Sequence, residues 1–165
     1  MKSWAKEKDV LETFPFVTID GEDAKDFDDA IFCEFSDNGF HLKVAIADVS
    51  FYVKEGSALD LEAAKRTTSV YMPKKVVPML PEKLSNELCS LQPNKRRRCL
   101  CIEMDFDKDG YIRSYKFHRG IIKSVARLTY TEVENQIING VKNSDYAKSL
   151  KAAIALYNKL LINNY

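Results

Sequence analysis

Ten residues, Asp20-Gly21-Glu22-Asp23-Ala24-Lys25-Asp26-Phe27-Asp28-Asp29, hold six carboxylates and one lysine directly after the apolar stretch Phe14 to Ile19. Two like unit charges about 4 Å apart repel by roughly 4 kcal/mol at an effective dielectric near 20. A folded chain with this run must therefore supply a counter-ion or spread the acids into solvent. Spacing alone fits a solvated acidic loop as well as a ligand set, because most acidic runs are solvated. The neighbouring residues argue for the ligand set: Phe27, Ala30, Ile31 and Phe32 are apolar and interleave with the carboxylates, which a solvated loop does not require.

A hard divalent cation, Mg²⁺ or Mn²⁺, suits such a set. These ions take oxygen ligands in near-octahedral geometry and keep several waters, so one or two carboxylates per ion leave room for a substrate phosphate. Phosphodiester hydrolysis often uses two of them about 3.5–4 Å apart. The segment Phe16 to Ile19 predicts a strand ending at Asp20, and Gly21 permits a turn that returns Asp26, Asp28 and Asp29 to it. A second acidic run, Asp105 to Gly110, imitates the start of a calcium-binding EF-hand loop. Its twelfth position is Lys116 where a bidentate Glu is needed, and its flanks read as strands, so it predicts a hairpin turn.

At 165 residues with 45% hydrophobic content, the chain is one unit, residues 1–165, with a core of its own. It has no apolar stretch long enough to span a bilayer, and the charged N-terminus from Met1 to Glu12 has no signal-peptide pattern. A soluble, cytoplasmic protein without membrane partners is expected. Cys33, Cys89, Cys99 and Cys101 form no CxxC pair, and His41 and His118 are the two histidines, which argues against zinc and for reduced, buried thiols. Net charge is +1 but unevenly spread: Lys95 to Arg127 holds ten Lys/Arg against four acids. An acidic metal site beside a basic surface is the arrangement of a polyanion-processing enzyme. The run Lys95 to Arg98 taken alone reads as readily as an exposed turn.

Hydrophobic period and punctuation predict strands at Phe14 to Ile19, Ala30 to Phe35 and Phe40 to Ala47, the last two joined by a turn at Ser36 to Gly39. Ser57 with Asp60 opens a helix over Ala58 to Thr68. Tyr71 to Pro81 reads as a proline-punctuated extended loop, followed by a short helix with Leu84, Leu88 and Leu91 on one face. A second hairpin spans Arg98 to Phe106 and Ile112 to Lys123, and Thr129/Glu132 or Thr131/Glu134 caps a helix ending before Gly140. From Ser144 an amphipathic helix, with Tyr146, Leu150, Ile154, Tyr157 and Leu161 as its apolar stripe, runs through Asn164 and needs a partner. Strands followed by helices in one unit predict an α+β fold, a largely antiparallel or mixed β-sheet with packed helices.

The stretch Ile19 to Ala30 closely resembles the signature of the ribonuclease II/ribonuclease R catalytic domain, the RNB domain, in wording nearer the ribonuclease R branch. Ala45-Ile46-Ala47-Asp48-Val49-Ser50, Tyr71-Met72-Pro73, Pro78-Met79-Leu80-Pro81, Leu84 to Leu91 and Ala126-Arg127-Leu128-Thr129-Tyr130 follow in the family's order, so the match runs from about residue 15 to 138. The resemblance implies a processive 3′-to-5′ exoribonuclease that hydrolyses single-stranded RNA to nucleoside 5′-monophosphates with Mg²⁺, or Mn²⁺, as cofactor. It places Asp20 and Asp29 on one ion, makes Asp28 the most rate-critical carboxylate, beside the second ion and its water, and has Asp26 complete the shell. It sets Tyr71 against the base at the RNA 3′ end and Tyr130 near the terminal nucleotide; by composition alone either tyrosine reads as packing.

Domains of this family continue well beyond this length, and the remainder brings an arginine, a second aromatic and a glutamate. The resemblance thus implies the N-terminal portion of a catalytic domain, inactive in isolation and prone to self-association through its last helix. Two other functions fit less of the sequence. An inactive RNA-binding or scaffold module on the same fold would be expected to have lost some of the four aspartates, and a structural Ca²⁺ or Mg²⁺ module would not need Tyr71.

Overall fold

The computed structural model describes residues 9–73 and 75–163. Along the chain run β1 (Asp9–Val10), a 3-10 turn (Leu11–Thr13), β2 (Val17–Asp20), β3 (Asp29–Ser36), β4 (Gly39–Ala47), α1 (Val49–Tyr52) and α2 (Ala58–Arg66). They are followed by β5 (Val70–Met72), β6 (Lys75–Val77), a π-helix (Lys83–Leu88), β7 (Arg96–Asp107), β8 (Ile112–Lys123), β9 (Ala126–Thr129), α3 (Tyr130–Asn139) and α4 (Ala147–Ile162). Seven strands form one mixed sheet in the order β1-β8-β7-β4-β3-β2-β9, while β5 and β6 pair separately. The sheet is antiparallel except where β1 joins β8 and β2 joins β9. This is the expected α+β class.

Alternation assigns the two faces. From β4, Ala45 and Ala47 point to one side, where Phe16, Phe32, Cys99, Cys101 and Ile122 meet Phe27, Leu84 and Leu91. Phe40 points to the other, with Cys33 and Phe106 against Ala152 and Leu156 of α4. The β3–β4 connection is short, and Gly39 is required in it. Its φ is +150°, and a Cβ there would lie 2.2 Å from the Phe106 carbonyl oxygen. The run Asp105 to Gly110 is a hairpin turn as expected, with Asp107 Oδ1 accepting from the Asp109 and Tyr111 amides.

Three expectations change. Tyr71 to Pro81 is not simply a loop, because Val70–Met72 and Lys75–Val77 pair as a hairpin. Leu84, Leu88 and Leu91 do not share a face: Leu84 and Leu91 are buried, but Leu88 is exposed, because the segment is a short π-helix that ends at Leu88, so no α-helical period carries through to Leu91. The last helix has its partner within the chain. It packs on β3 and β4 through Leu150, Ala152 and Leu156, the Ser149 hydroxyl accepts from the Cys33 amide at 3.0 Å, and Tyr157 and Leu161 face solvent. Its expected end at Asn164, like the charged segment 1–8, lies outside the described residues. All four cysteines are buried. Both histidines and Lys43 contact the Glu103 carboxylate. Among the described residues no helix is long and apolar enough to cross a membrane.

Candidate active site

Two strand ends deliver the outer aspartates. Asp20 is the last residue of β2 and lies opposite Thr129 in the parallel ladder with β9. Asp29 is the first residue of β3 and pairs with Ile46. β2 and β3 are antiparallel with Val17 opposite Ile31. Carried three residues on, that register brings Asp20 level with Asp28. The connecting residues 21–28 have no regular structure. Phe27 gives them a fixed point: its side chain is buried in the core between Asp26 and Asp28, so in an extended segment those two carboxylates turn the opposite way.

Hydrogen bonds from distant elements hold this connection. The Ser90 hydroxyl, itself fully buried, accepts from the Phe27 amide at 3.1 Å and donates to the Lys25 carbonyl at 2.8 Å. The Leu91 amide donates to the Phe27 carbonyl, and the Ala47 amide to the Asp28 carbonyl, each at 2.8 Å. At the start of the connection, Arg127 donates to the carbonyls of Gly21 and Glu22 at 2.5 and 2.6 Å, with its guanidinium 5.7 Å from the centre of the Phe27 ring. The sequence named Ser90 and Arg127 only as parts of matched motifs and gave neither a role.

The electrostatics are those of an uncompensated acidic site. Burial pushes the Asp20 carboxyl above its ordinary value, Asp29, Asp26 and Asp28 add to this, and Arg127 partly opposes it. Burial also raises Asp28, assisted by Asp26 and Asp29. The charges of Asp26 and Asp29 thus act on both Asp20 and Asp28. Asp20 Oδ2 is buried without a hydrogen-bond partner among the described residues, an arrangement that costs free energy unless something else completes it. An all-oxygen donor set with an orphaned buried oxygen fits a hard divalent cation. Among the described residues, however, no three such side chains are already gathered tightly enough to ligate a common ion.

A cleft of about 970 Å³ opens beside the aspartates. Asp26 and Asp28 line it together with Tyr71, Val76 and Met79, on and beside the β5–β6 hairpin. Arg66 ties that hairpin down by donating to the Pro78 carbonyl at 2.9 Å, and the Met79 amide donates to Ser69 Oγ. Tyr71 is 71% exposed and free to receive a flat partner. Asp20, Asp29 and Tyr130 do not line this cleft. Tyr130 follows Thr129, the ladder partner of Asp20, and is exposed at the first turn of α3, where Thr129 and Glu132 form the expected capping box. Much of the expected basic surface is engaged in structure. Arg96 pairs with Glu12, Arg113 with Asp107 and Arg119 with Asp48, while Arg98 stacks 3.8 Å from the Phe51 ring centre.

Residues 8–162 match the RNB domain family. Ribonuclease R of Escherichia coli is 50% identical over 151 residues, covering 90% of this chain and 18% of that protein. Ribonuclease R of Mycoplasmopsis pulmonis is 45% identical over 163 residues, covering 98% and 22%. The chain spans between 15% and 28% of the length of these and other curated relatives. Among solved structures, Mycoplasma genitalium RNase R in complex with double-stranded RNA superimposes with a TM-score of 0.90 at 41% identity, over 96% of this chain and 29% of that one. Yeast Ssd1, a pseudonuclease, has the same fold at a TM-score of 0.77 and 24% identity, over 94% and 19%.

Proposed function

The chain belongs to the RNB domain family, and on that premise we propose that it forms the aspartate-bearing part of a cytoplasmic, Mg²⁺-dependent exoribonuclease that shortens single-stranded RNA from its 3′ end. The observation that carries this reading is the set of four aspartates at the facing ends of β2 and β3 and in the connection between them, with Asp20 and Asp28 raised by burial and by their neighbours' charge and Asp20 Oδ2 without a hydrogen-bond partner among the described residues, beside a cleft that holds Tyr71. Asp20 and Asp29 would hold one Mg²⁺, Asp28 a second with the attacking water, and Asp26 would complete the shell; Mn²⁺ has the same ligand preference. Bound there, the ions would supply Lewis acidity for water activation and for charge on the leaving oxygen. The bond broken is between phosphorus and the 3′ oxygen of the penultimate nucleotide, so the terminal nucleotide leaves with its 5′-phosphate. Tyr71 would present a ring to the terminal base in the cleft it shares with Asp26 and Asp28, and Tyr130 stands where β9 meets α3, beside the Asp20 end of β2.

A non-catalytic RNA-binding module is the competing reading, since the same fold occurs in a pseudonuclease. Retention of all four aspartates favours catalysis. The test replaces the matching segment of the Escherichia coli enzyme with this chain and follows 5′-labelled single-stranded RNA in Mg²⁺. Stepwise shortening that disappears with Asp28→Asn supports the proposal. Tight RNA binding without shortening, unchanged by Asp28→Asn, would establish the module reading instead.

A further inference from the structure

We infer that Ser90 is a positioning residue for the aspartate site, fixing the backbone on both sides of Asp26 so that Asp26 and Asp28 are presented to a metal. The inference rests on the metal reading of the previous section and adds a residue outside the ligand set to it. The connection 21–28 lacks a helix or sheet ladder to set its shape, yet it must present carboxylates against their mutual repulsion. Its middle is set by one side chain. Ser90 Oγ lies between the Lys25 carbonyl, to which it donates at 2.8 Å, and the Phe27 amide, from which it accepts at 3.1 Å. One hydroxyl thereby spans Asp26.

The chemistry explains why serine is needed. A single atom must be donor and acceptor at once in a site with no solvent access, and a hydroxyl is the small side chain that does both. Ser90 is in turn held from below: its own carbonyl accepts from Arg97 Nε at 2.9 Å and from the Gln92 amide at 2.8 Å. The next residue, Leu91, donates its amide to Phe27 and accepts from the Ser124 hydroxyl through its carbonyl. The support therefore runs from β7 and the β8–β9 connection, through Ser90 and Leu91, to the aspartates. Alanine at position 90 would leave the Phe27 amide and Lys25 carbonyl without these partners in a buried place and free the segment to relax away from the cleft.

Groups that orient metal ligands typically change affinity about 10–100-fold when removed, and the test reads affinity directly. Mn²⁺ binding to the 165-residue chain is titrated by electron paramagnetic resonance, alongside thermal unfolding without metal and hydrogen exchange at the Phe27 amide. The variants are Ser90→Ala, Asp28→Asn and Ser149→Ala, the last removing a comparable buried serine hydroxyl that accepts from the Cys33 amide under α4 and has no part in the support of the aspartate connection. Ser90→Ala is expected to weaken Mn²⁺ binding about 10–100-fold and to speed Phe27 exchange. Ser149→Ala should lower the melting temperature while leaving Mn²⁺ affinity within about twofold of wild type, well short of an orienting effect. Equal weakening by both serine variants, or wild-type affinity in Ser90→Ala, overturns the positioning role. Equal Mn²⁺ binding by wild type and Asp28→Asn removes the metal reading itself and Ser90's role with it. Should Ser90→Ala not fold, the near-isosteric Ser90→Cys, with a weaker donor, replaces it; wild-type Mn²⁺ affinity in that variant overturns the inference.

Discussion

Asp28 and Asp48 are two aspartates with opposite electrostatic histories, and they give predictions of opposite sign. Asp28 is raised above its ordinary 3.8 by burial and by Asp26 and Asp29. A raised folded-state value means the stability linked to this group is fully present below the ordinary value and is lost as pH climbs through the raised one. At pH 7 without metal, Asp28→Asn should therefore melt at or slightly above the wild-type temperature. Mg²⁺ at 100 times its dissociation constant should stabilise the wild type by about 2.7 kcal/mol, and this gain should be absent in Asp28→Asn; calorimetry with and without Mg²⁺ decides. Asp48 is also pushed up by burial, but hydrogen bonds from Arg119 and Ser50 and the guanidinium charge outweigh this and hold it below 3.8. Both its oxygens accept from Arg119 at 2.7 Å. Asp48→Asn should cost toward the lower end of roughly 3–5 kcal/mol at neutral pH, because Arg119 is partly exposed, and denaturant titration should show the deficit shrinking as pH falls below 3.8, where the wild type loses the same charge. The four aspartates were legible in sequence because their chemical type and density announce a charge problem. Ser90 and Arg127 were not, because what they do is bond backbone 63 and 106 residues away, which no local spacing records.

Short-range signals survived well at the level of elements. The Thr129/Glu132 pair forms the capping box of α3, so Thr129→Ala should cost about 1 kcal/mol and, by loosening the turn that carries Tyr130, should reduce RNA binding beyond what the stability loss explains. Paired melting and fluorescence-anisotropy measurements separate the two effects. The β3–β4 and β7–β8 hairpins were visible because alternation and turn residues coincide. β5 and β6 were not, since prolines at 73, 78 and 81 read as a loop and neither three-residue strand is long enough to show a period. The π-helix was mistaken for an ordinary one for a similar reason: an extra residue per turn leaves no mark in composition. Tyr71, displayed on this hairpin, should be separable from stability. Tyr71→Ala should melt within about 0.5 kcal/mol of wild type and weaken binding of a short single-stranded oligoribonucleotide by about 1–3 kcal/mol, the usual worth of one base stacked on an aromatic ring.

Across the whole molecule, the sheet is covered unevenly. α4 shields Cys33, Phe40 and Phe106, but Tyr115 and Phe117 on β8, ring centres 5.8 Å apart, are 66% and 68% exposed. Self-association of the 165-residue chain should therefore run through this sheet surface and not through α4, and Tyr115→Ser with Phe117→Ser should lower the apparent mass in light scattering. The cleft is equally open, with Tyr71 in its lining uncovered. A substrate end that is not enclosed loses much of the several kcal/mol that positioning supplies, so the isolated chain should bind RNA weakly and show little or no shortening of it. The four buried thiols have a different consequence. Burial pushes Cys33 and Cys99 up to about 12, so in the folded chain neither is a nucleophile at neutral pH, and a maleimide or disulfide reagent must wait for the core to open. Their labelling rate is then a clock for global opening, readable by mass spectrometry without a dye or an engineered cysteine.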